Sequence, residues 1–166
     1  NAKVNYKISE KDRLYISGYY GKDAFTFATP ANDFNVRMPW GNAIASVRWN
    51  HLFNDKLFMN ARVSLTDYQF QFISQQDQFE FGLNSGIRDY GSSIDFTYYM
   101  SPRIKIKYGA DYIYHIFTPF SVSATQEDVE FDVGEAQRLF SHETALYASS
   151  EIEITEKWSL NTGLRY

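Results

Sequence analysis

Cysteine is absent from all 166 residues. That excludes disulfides, thiolate chemistry and cysteine-bound metal within the chain. Proline is rare, with four in all. No apolar run approaches the length of a membrane helix, and no signal-peptide pattern stands in these residues. The formal net charge is −4 and there is no long basic run, so nucleic acid is not an expected partner. The missing apolar run excludes helical spans only. A membrane β-barrel places its apolar residues at alternate positions, and its mean hydropathy then looks soluble.

Aromatic residues are abundant, at 18%, with 13 Tyr and 14 Phe. They favour strands. The stretch from Trp40 to Phe72 sets the plan. Asn54 and Asp55 form a tip, since Asx side chains bond their own backbone and suit tight reversals. Ala43, Ala45, Val47 and Trp49 alternate with Ile44, Ser46, Arg48 and Asn50. Beyond the tip, Leu57, Met59, Ala61, Val63 and Leu65 alternate with Asn60, Arg62, Ser64 and Thr66. A period of two with one uncharged face marks a half-buried strand.

The same pattern predicts strands at Ala2–Ile8 and from Arg13 to about Phe27, then a long loop over Thr29–Pro39. After the hairpin, a polar reversal (SQQDQ) leads into an extended Phe79–Met100, with Gly82, Gly86 and Gly91 as bulges or bends. Strands at Ile104–Tyr114, Leu146–Ile154 and Trp158–Tyr166 follow. A second long loop, Thr118–Phe140, is acidic in its middle (Glu127, Asp128, Glu130, Asp132, Glu135). No helix is expected. The fold class is all-β, with about eight antiparallel strands in up-and-down order.

Four short turns share one pattern: ISEKDRL, LFNDKLF, YMSPRIK and ITEKWSL. They lie about 44 to 54 residues apart, so the unit is a hairpin plus its connection. Short turns on one side and longer loops on the other match an outer-membrane barrel. A soluble sandwich produces the same alternation. Long strands, apolar faces free of charge for about five positions, and aromatic strand ends favour the transmembrane barrel. The girdle positions are Trp158, Phe58 and Tyr99 at the short turns, and Trp40, Phe70, Phe72, Tyr112 and Tyr114 toward the loops. Val47, Leu57, Ala61, Val63, Ile104, Ile106, Leu160 and Leu164 are expected on the lipid face. Ser46, Arg48, Arg62, Ser64, Lys105 and Asn161 are expected opposite.

With four short turns and three longer connections, a closed eight-stranded barrel would put both termini outside the cell. The expectation is instead a piece of wall from a larger barrel, whose first and last strands do not pair with each other. Ser85 to Pro119 (SGIRDYGSSIDFTYYMSPRIKIKYGADYIYHIFTP) resembles barrel wall of TonB-dependent outer-membrane receptors of the Bacteroidota type. WGNAIASVRWNHLFNDKLFMNARVSLTDYQF and ITEKWSLNTGLRY are similar to other parts of that wall. The resemblance implies a 22-stranded barrel in the bacterial outer membrane and an N-terminal plug, which residues 1–166 do not contain. It implies uptake of a scarce nutrient of the siderophore, vitamin or oligosaccharide class, energised by TonB. The implied partners are outer-membrane lipid, the plug, further barrel strands, the TonB complex and a surface substrate-binding lipoprotein.

His51, His115 and His142 lack metal-ligand spacing, so neither a metal nor another cofactor is expected. Arg48, Arg62, Arg88, Lys105, Lys107, Asp111 and His115 are assigned to the lumen by alternation. There they serve hydration and plug contact, or line a path for substrate. No nucleophile–base pair or phosphate loop stands out, and no enzymatic activity is expected. A small non-transporting barrel, as anchor or adhesin, and a soluble binding sandwich remain the alternatives.

Overall fold

A computed structural model describes residues 1–29, 33–127, 129–131 and 137–166. The strands are β1 (Ala2–Lys7), β2 (Asp12–Thr29), β3 (Phe34–Asn54), β4 (Leu57–Gln76), β5 (Phe79–Ser101), β6 (Ile104–Gln126), β7 (Val129–Phe131), β8 (Leu139–Thr155) and β9 (Trp158–Arg165). Eight of them form one antiparallel sheet in up-and-down order, β1-β2-β3-β4-β5-β6-β8-β9. The three-residue β7 extends the far end of β6. No helix occurs among the described residues. Among these residues β1 pairs with β2 alone and β9 with β8 alone, so the sheet has two open edges.

The strands are longer than the alternation suggests. β5 and β6 each have 23 residues. At about 3.3 Å per residue each spans roughly 75 Å of chain, whereas a tilted strand crosses a bilayer in about 9–11 residues. The two predicted long loops are mostly strand. β2 runs to Thr29 and β3 resumes at Phe34, while β6 continues to Gln126. Pro39 looks like a loop residue in sequence, because proline usually interrupts sheets. It sits where the β3–β4 ladder skips from Arg37↔Ile73 to Trp40↔Phe70, so its missing N–H breaks nothing. Pro119 falls inside the irregularity between Thr118 and Ser121. Pro30, and Asp128, Asp132 and Glu135 of the acidic stretch, lie outside the described residues.

The four short turns have one mechanism. A side-chain oxygen at the first turn position accepts the backbone N–H two residues on. The pairs are Ser9 and Lys11 (3.1 Å), Asn54 and Lys56 (2.9 Å), Ser101 and Arg103 (3.3 Å), and Thr155 and Lys157 (3.3 Å). The motif is therefore Ser, Asn or Thr, one residue, then Lys or Arg. At the opposite end, Asp33, Asp77 and Glu127 carry positive φ values of 47°, 51° and 50°. The short-turn rim thus mixes Lys or Arg with acidic neighbours such as Glu10, Asp55 and Glu156, and the opposite rim places acidic residues at its turns.

Directly opposed residues share a face, so the register sorts every side chain. Val47↔Val63 defines a valine face and Arg48↔Arg62 an arginine face. The valine face continues through Ile16, Ile94, Ala110 and Leu146. All eight residues expected toward lipid lie on it, and all six expected opposite lie on the arginine face. Its apolar side chains are widely exposed: Val63 is 57% accessible and Leu164 86%. Only Met59 and Ala145 are buried apolar residues among those described. The described chain is one layer, without the second sheet a sandwich core requires.

Aromatic clusters bound this belt on the valine face. Trp49, His51, Phe53, Phe96 and Tyr108 make a chain with ring separations of 4.6–6.4 Å toward the short turns. Tyr90, Tyr112, Tyr114, Phe140 and His142 make another toward the far end. Of the girdle positions read from sequence, Trp158, Tyr112 and Tyr114 share this face. Phe58, Tyr99, Trp40, Phe70 and Phe72 are on the other.

The reason is an inversion of sidedness. Beyond Tyr20, Leu65 and Tyr90, the valine face becomes polar, with Lys22, Arg37, Asp67, Gln69 and Arg88. The arginine face simultaneously becomes apolar, with Phe25, Val36, Trp40, Phe70, Phe72 and Phe81. The crossover occurs at neighbouring positions on β2, β3, β4 and β5, so it is a property of the sheet.

Candidate functional site

The arginine face below the crossover collects most of the chemistry-bearing side chains. One row crosses six strands: Tyr15, Arg48, Arg62, Ser93, Asp111 and Ala145. Small residues keep it open. An added Cβ on Gly91 would stand 2.7 Å from Ser64 Oγ. Arg48 lies over the Tyr15 ring, 4.3 Å from its centroid. This cation–π contact holds the guanidinium along the wall. Arg62 forms no ion pair with the described residues.

Fixed charges of both signs surround this row. Arg165 Nη1 lies 3.3 Å from Asp111 Oδ2. The Tyr147 hydroxyl donates to Asp95 by reaching across Gly109 of the intervening strand. His115 Nδ1 is 2.8 Å from Asp89 Oδ1, and its Nε2 is 3.7 Å from Glu143 Oε2. Thr66 donates to the other oxygen of Asp89 at 3.3 Å. Lys105 pairs with Glu151 nearer the short turns. At the centre, Arg62, Ser93, Asp111, Glu143 and Arg165 border a recess of about 250 Å³. Ser93, 9% accessible, has a hydroxyl with no hydrogen-bond partner among the described residues. A buried hydroxyl without a partner is costly, so this floor is suited to a polar group laid against it.

Six of the seven residues assigned to the lumen by alternation share this face: Arg48, Arg62, Lys105, Lys107, Asp111 and His115. Arg88 does not. It opposes Asp67 on the valine face, and its Nε donates to Asp67 Oδ2 at 2.5 Å. Its charge, not its parity, suggested the lumen: counted from Ile94 it falls on the valine face, just past the crossover where charge moves to that side. The register adds Asp89, Asp95, Glu143, Tyr147 and Arg165 to the polar wall. The available signal was parity: each is an even number of residues from Ser93 on β5, Ala145 on β8 or Asn161 on β9. The three histidines stay apart. His51 and His142 lie on the valine face, His51 bonding Asp12 at 2.6 Å and His142 bonding the Tyr112 hydroxyl at 2.8 Å.

A single-layer, up-and-down antiparallel sheet with an apolar belt and a charged reverse side is the wall of a β-barrel. No family model matches the sequence, and no curated protein does. Among solved structures the chain is similar to the ferric yersiniabactin uptake receptor FyuA from Yersinia pestis, with a TM-score of 0.71 and 12% sequence identity. The match covers 96% of this chain and 26% of that one, so the chain spans about a quarter of the receptor's length. The fold is that of a barrel-wall segment, matching part of that receptor's structure.

Proposed function

We propose that the chain forms part of the wall of a TonB-dependent nutrient transporter, of the Bacteroidota type, in the bacterial outer membrane. One observation carries this reading: across eight neighbouring strands the register keeps a charge-free belt on one face and a charged wall on the other. Lipid suits the first, and water or a plug suits the second. The open edges at β1 and β9 support further strands completing the barrel, because unpaired backbone groups cost several kcal/mol each in hydrocarbon.

In this reading Arg48, Arg62, Lys105, Lys107, Asp111 and His115 face the lumen and contact the plug or line the passage. Arg88 stands outside, at the membrane rim. The apolar arginine face beyond the crossover lines the mouth above the bilayer. The substrate is of the siderophore, vitamin or oligosaccharide class, delivered with a surface lipoprotein and driven by the TonB complex. The wall itself performs no catalysis.

The test is uptake by cells carrying the full-length gene, with TonB intact or deleted. TonB-dependent accumulation of one of these nutrients is the expected result. Recovery of the full-length product in the soluble fraction would overturn the reading.

A further inference from the structure

Two arginines stand directly opposite each other on the polar wall, Arg48 on β3 and Arg62 on β4. Like charges so placed repel. Neither forms an ion pair with the described residues. Charge on this face is sorted by strand. Below the crossover, β2, β3 and β4 bring it cations and no carboxylate: Arg13, Arg48 and Arg62. The carboxylates Asp89, Asp95, Asp111 and Glu143 stand on β5, β6 and β8. There each already faces a partner of its own. Tyr147 donates to Asp95, Arg165 pairs with Asp111, and His115 lies between Asp89 and Glu143. The arginine pair is left without an anion. Beside it, the β5 residue opposite Arg62 is Ser93, whose buried hydroxyl lacks a partner and lines the same recess of about 250 Å³.

We infer that Arg62 and Ser93 form a subsite for a single carboxylate, an inference that rests on this face lining the lumen. One carboxylate oxygen accepts from the planar guanidinium fork, and the other accepts from the Ser93 hydroxyl. Arg48 adds positive field from the next strand, while its contact with the Tyr15 ring holds it along the wall. Bound there, the carboxylate offsets the repulsion between the two arginines and satisfies the one hydroxyl the fold leaves without a partner. Asp111 and Glu143 border the far side of the recess. They repel a doubly charged phosphate more strongly than a singly charged carboxylate. The carboxylate comes either from a nutrient passing along the wall or from a segment of the parent protein lying against it.

The experiment uses the full-length protein, extracted from the outer membrane in mild detergent and titrated with trifluoroacetate as the probe. Excess fluorine relaxation of the probe reports binding, and a denaturant midpoint reports stability. If the site is open to a free carboxylate, the wild type binds the probe. Arg62→Gln should then weaken binding about tenfold, the effect of losing a charge-assisted hydrogen bond. Ser93→Ala should weaken it as well, and Arg103→Gln, in a short turn, should leave it unchanged. If a segment of the parent already supplies the carboxylate, the wild type shows no excess relaxation and Ser93→Ala lowers the midpoint. The sign separates this from an empty site, where deleting a buried hydroxyl without a partner leaves the midpoint unchanged or raises it. No probe binding together with an unchanged or raised midpoint for Ser93→Ala overturns the subsite while the barrel stands, as does equal loss of binding with Arg103→Gln. A full-length protein that never enters the outer membrane overturns both.

Discussion

Adjacent residues on β4 face opposite worlds. Val63 sits at the middle of the belt, and Arg62 lies on the charged wall over Ser93. Val63→Arg in the full-length protein should destabilise it by roughly 2–4 kcal/mol, the cost of an arginine near mid-bilayer. Arg62→Ala should cost less, since it leaves no charge stranded. Unfolding in lipid vesicles measures both, and equal tolerance would count against a lipid-facing belt. Gly109 offers a second contrast. A Cβ there would press on the Ile94 carbonyl and stand 2.8 Å from the Tyr147 hydroxyl. Gly109→Ala should therefore cost on the order of 1–3 kcal/mol by overpacking. Tyr147→Phe in the same background should recover part of that loss, because the clashing oxygen is gone. No recovery would show that the strain lies wholly in the backbone.

At the scale of elements, the turns carry the regularity. Thr155 Oγ1 accepts from both Lys157 N and Trp158 N, at 3.3 and 3.2 Å. Thr155→Val keeps the shape and removes the acceptor, so it should cost about 0.5–1.5 kcal/mol. Asp77 holds a φ of 51° at the opposite rim. Asp77→Gly should be neutral or stabilising, since glycine adopts this conformation without a Cβ penalty. A denaturant midpoint for each variant checks both signs. The short turns were legible because their chemistry is local: three residues specify each reversal. The strand lengths were not. Pro39 and the polar residues around it look like a loop in sequence, and only the interrupted ladder beside the proline shows how the strand accommodates it. The shared face of the charged residues was legible wherever alternation ran unbroken, as at Arg48, Arg62 and Asp111. Arg88 stands on the other face from them because polarity changes face between Leu65 and Asp67 while the strand geometry continues unchanged. Partners such as Asp89 with His115, or Arg165 with Asp111, are 26 or more residues apart in sequence, so register alone brings them together.

For the molecule as a whole, sidedness and its inversion are one fact seen at two heights. In the proposed transporter wall, lipid accounts for the apolar valine face within the belt and leaves charge for the lumen. Above the belt, water against the same face accounts for its turn to polar residues, with the aromatic residues on the opposite face. The absence of cysteine makes this measurable, because each cysteine introduced along the strand reports its own position. The decisive measurement is a single-cysteine scan of β4 from Met59 to Phe72, in the full-length protein cleared of any other cysteine and placed in lipid vesicles. Spin labels at each site report accessibility to oxygen, which concentrates in lipid, and to a water-soluble nickel chelate. Positions 59, 61, 63 and 65 should favour oxygen, with 60, 62 and 64 protected from it. From 67 onward oxygen preference should vanish, with 67, 69 and 71 reached by the chelate and 68, 70 and 72 shielded. Uniform accessibility along the strand, or lipid contact at 60, 62 and 64, would contradict the assignment of this sheet to a membrane barrel wall.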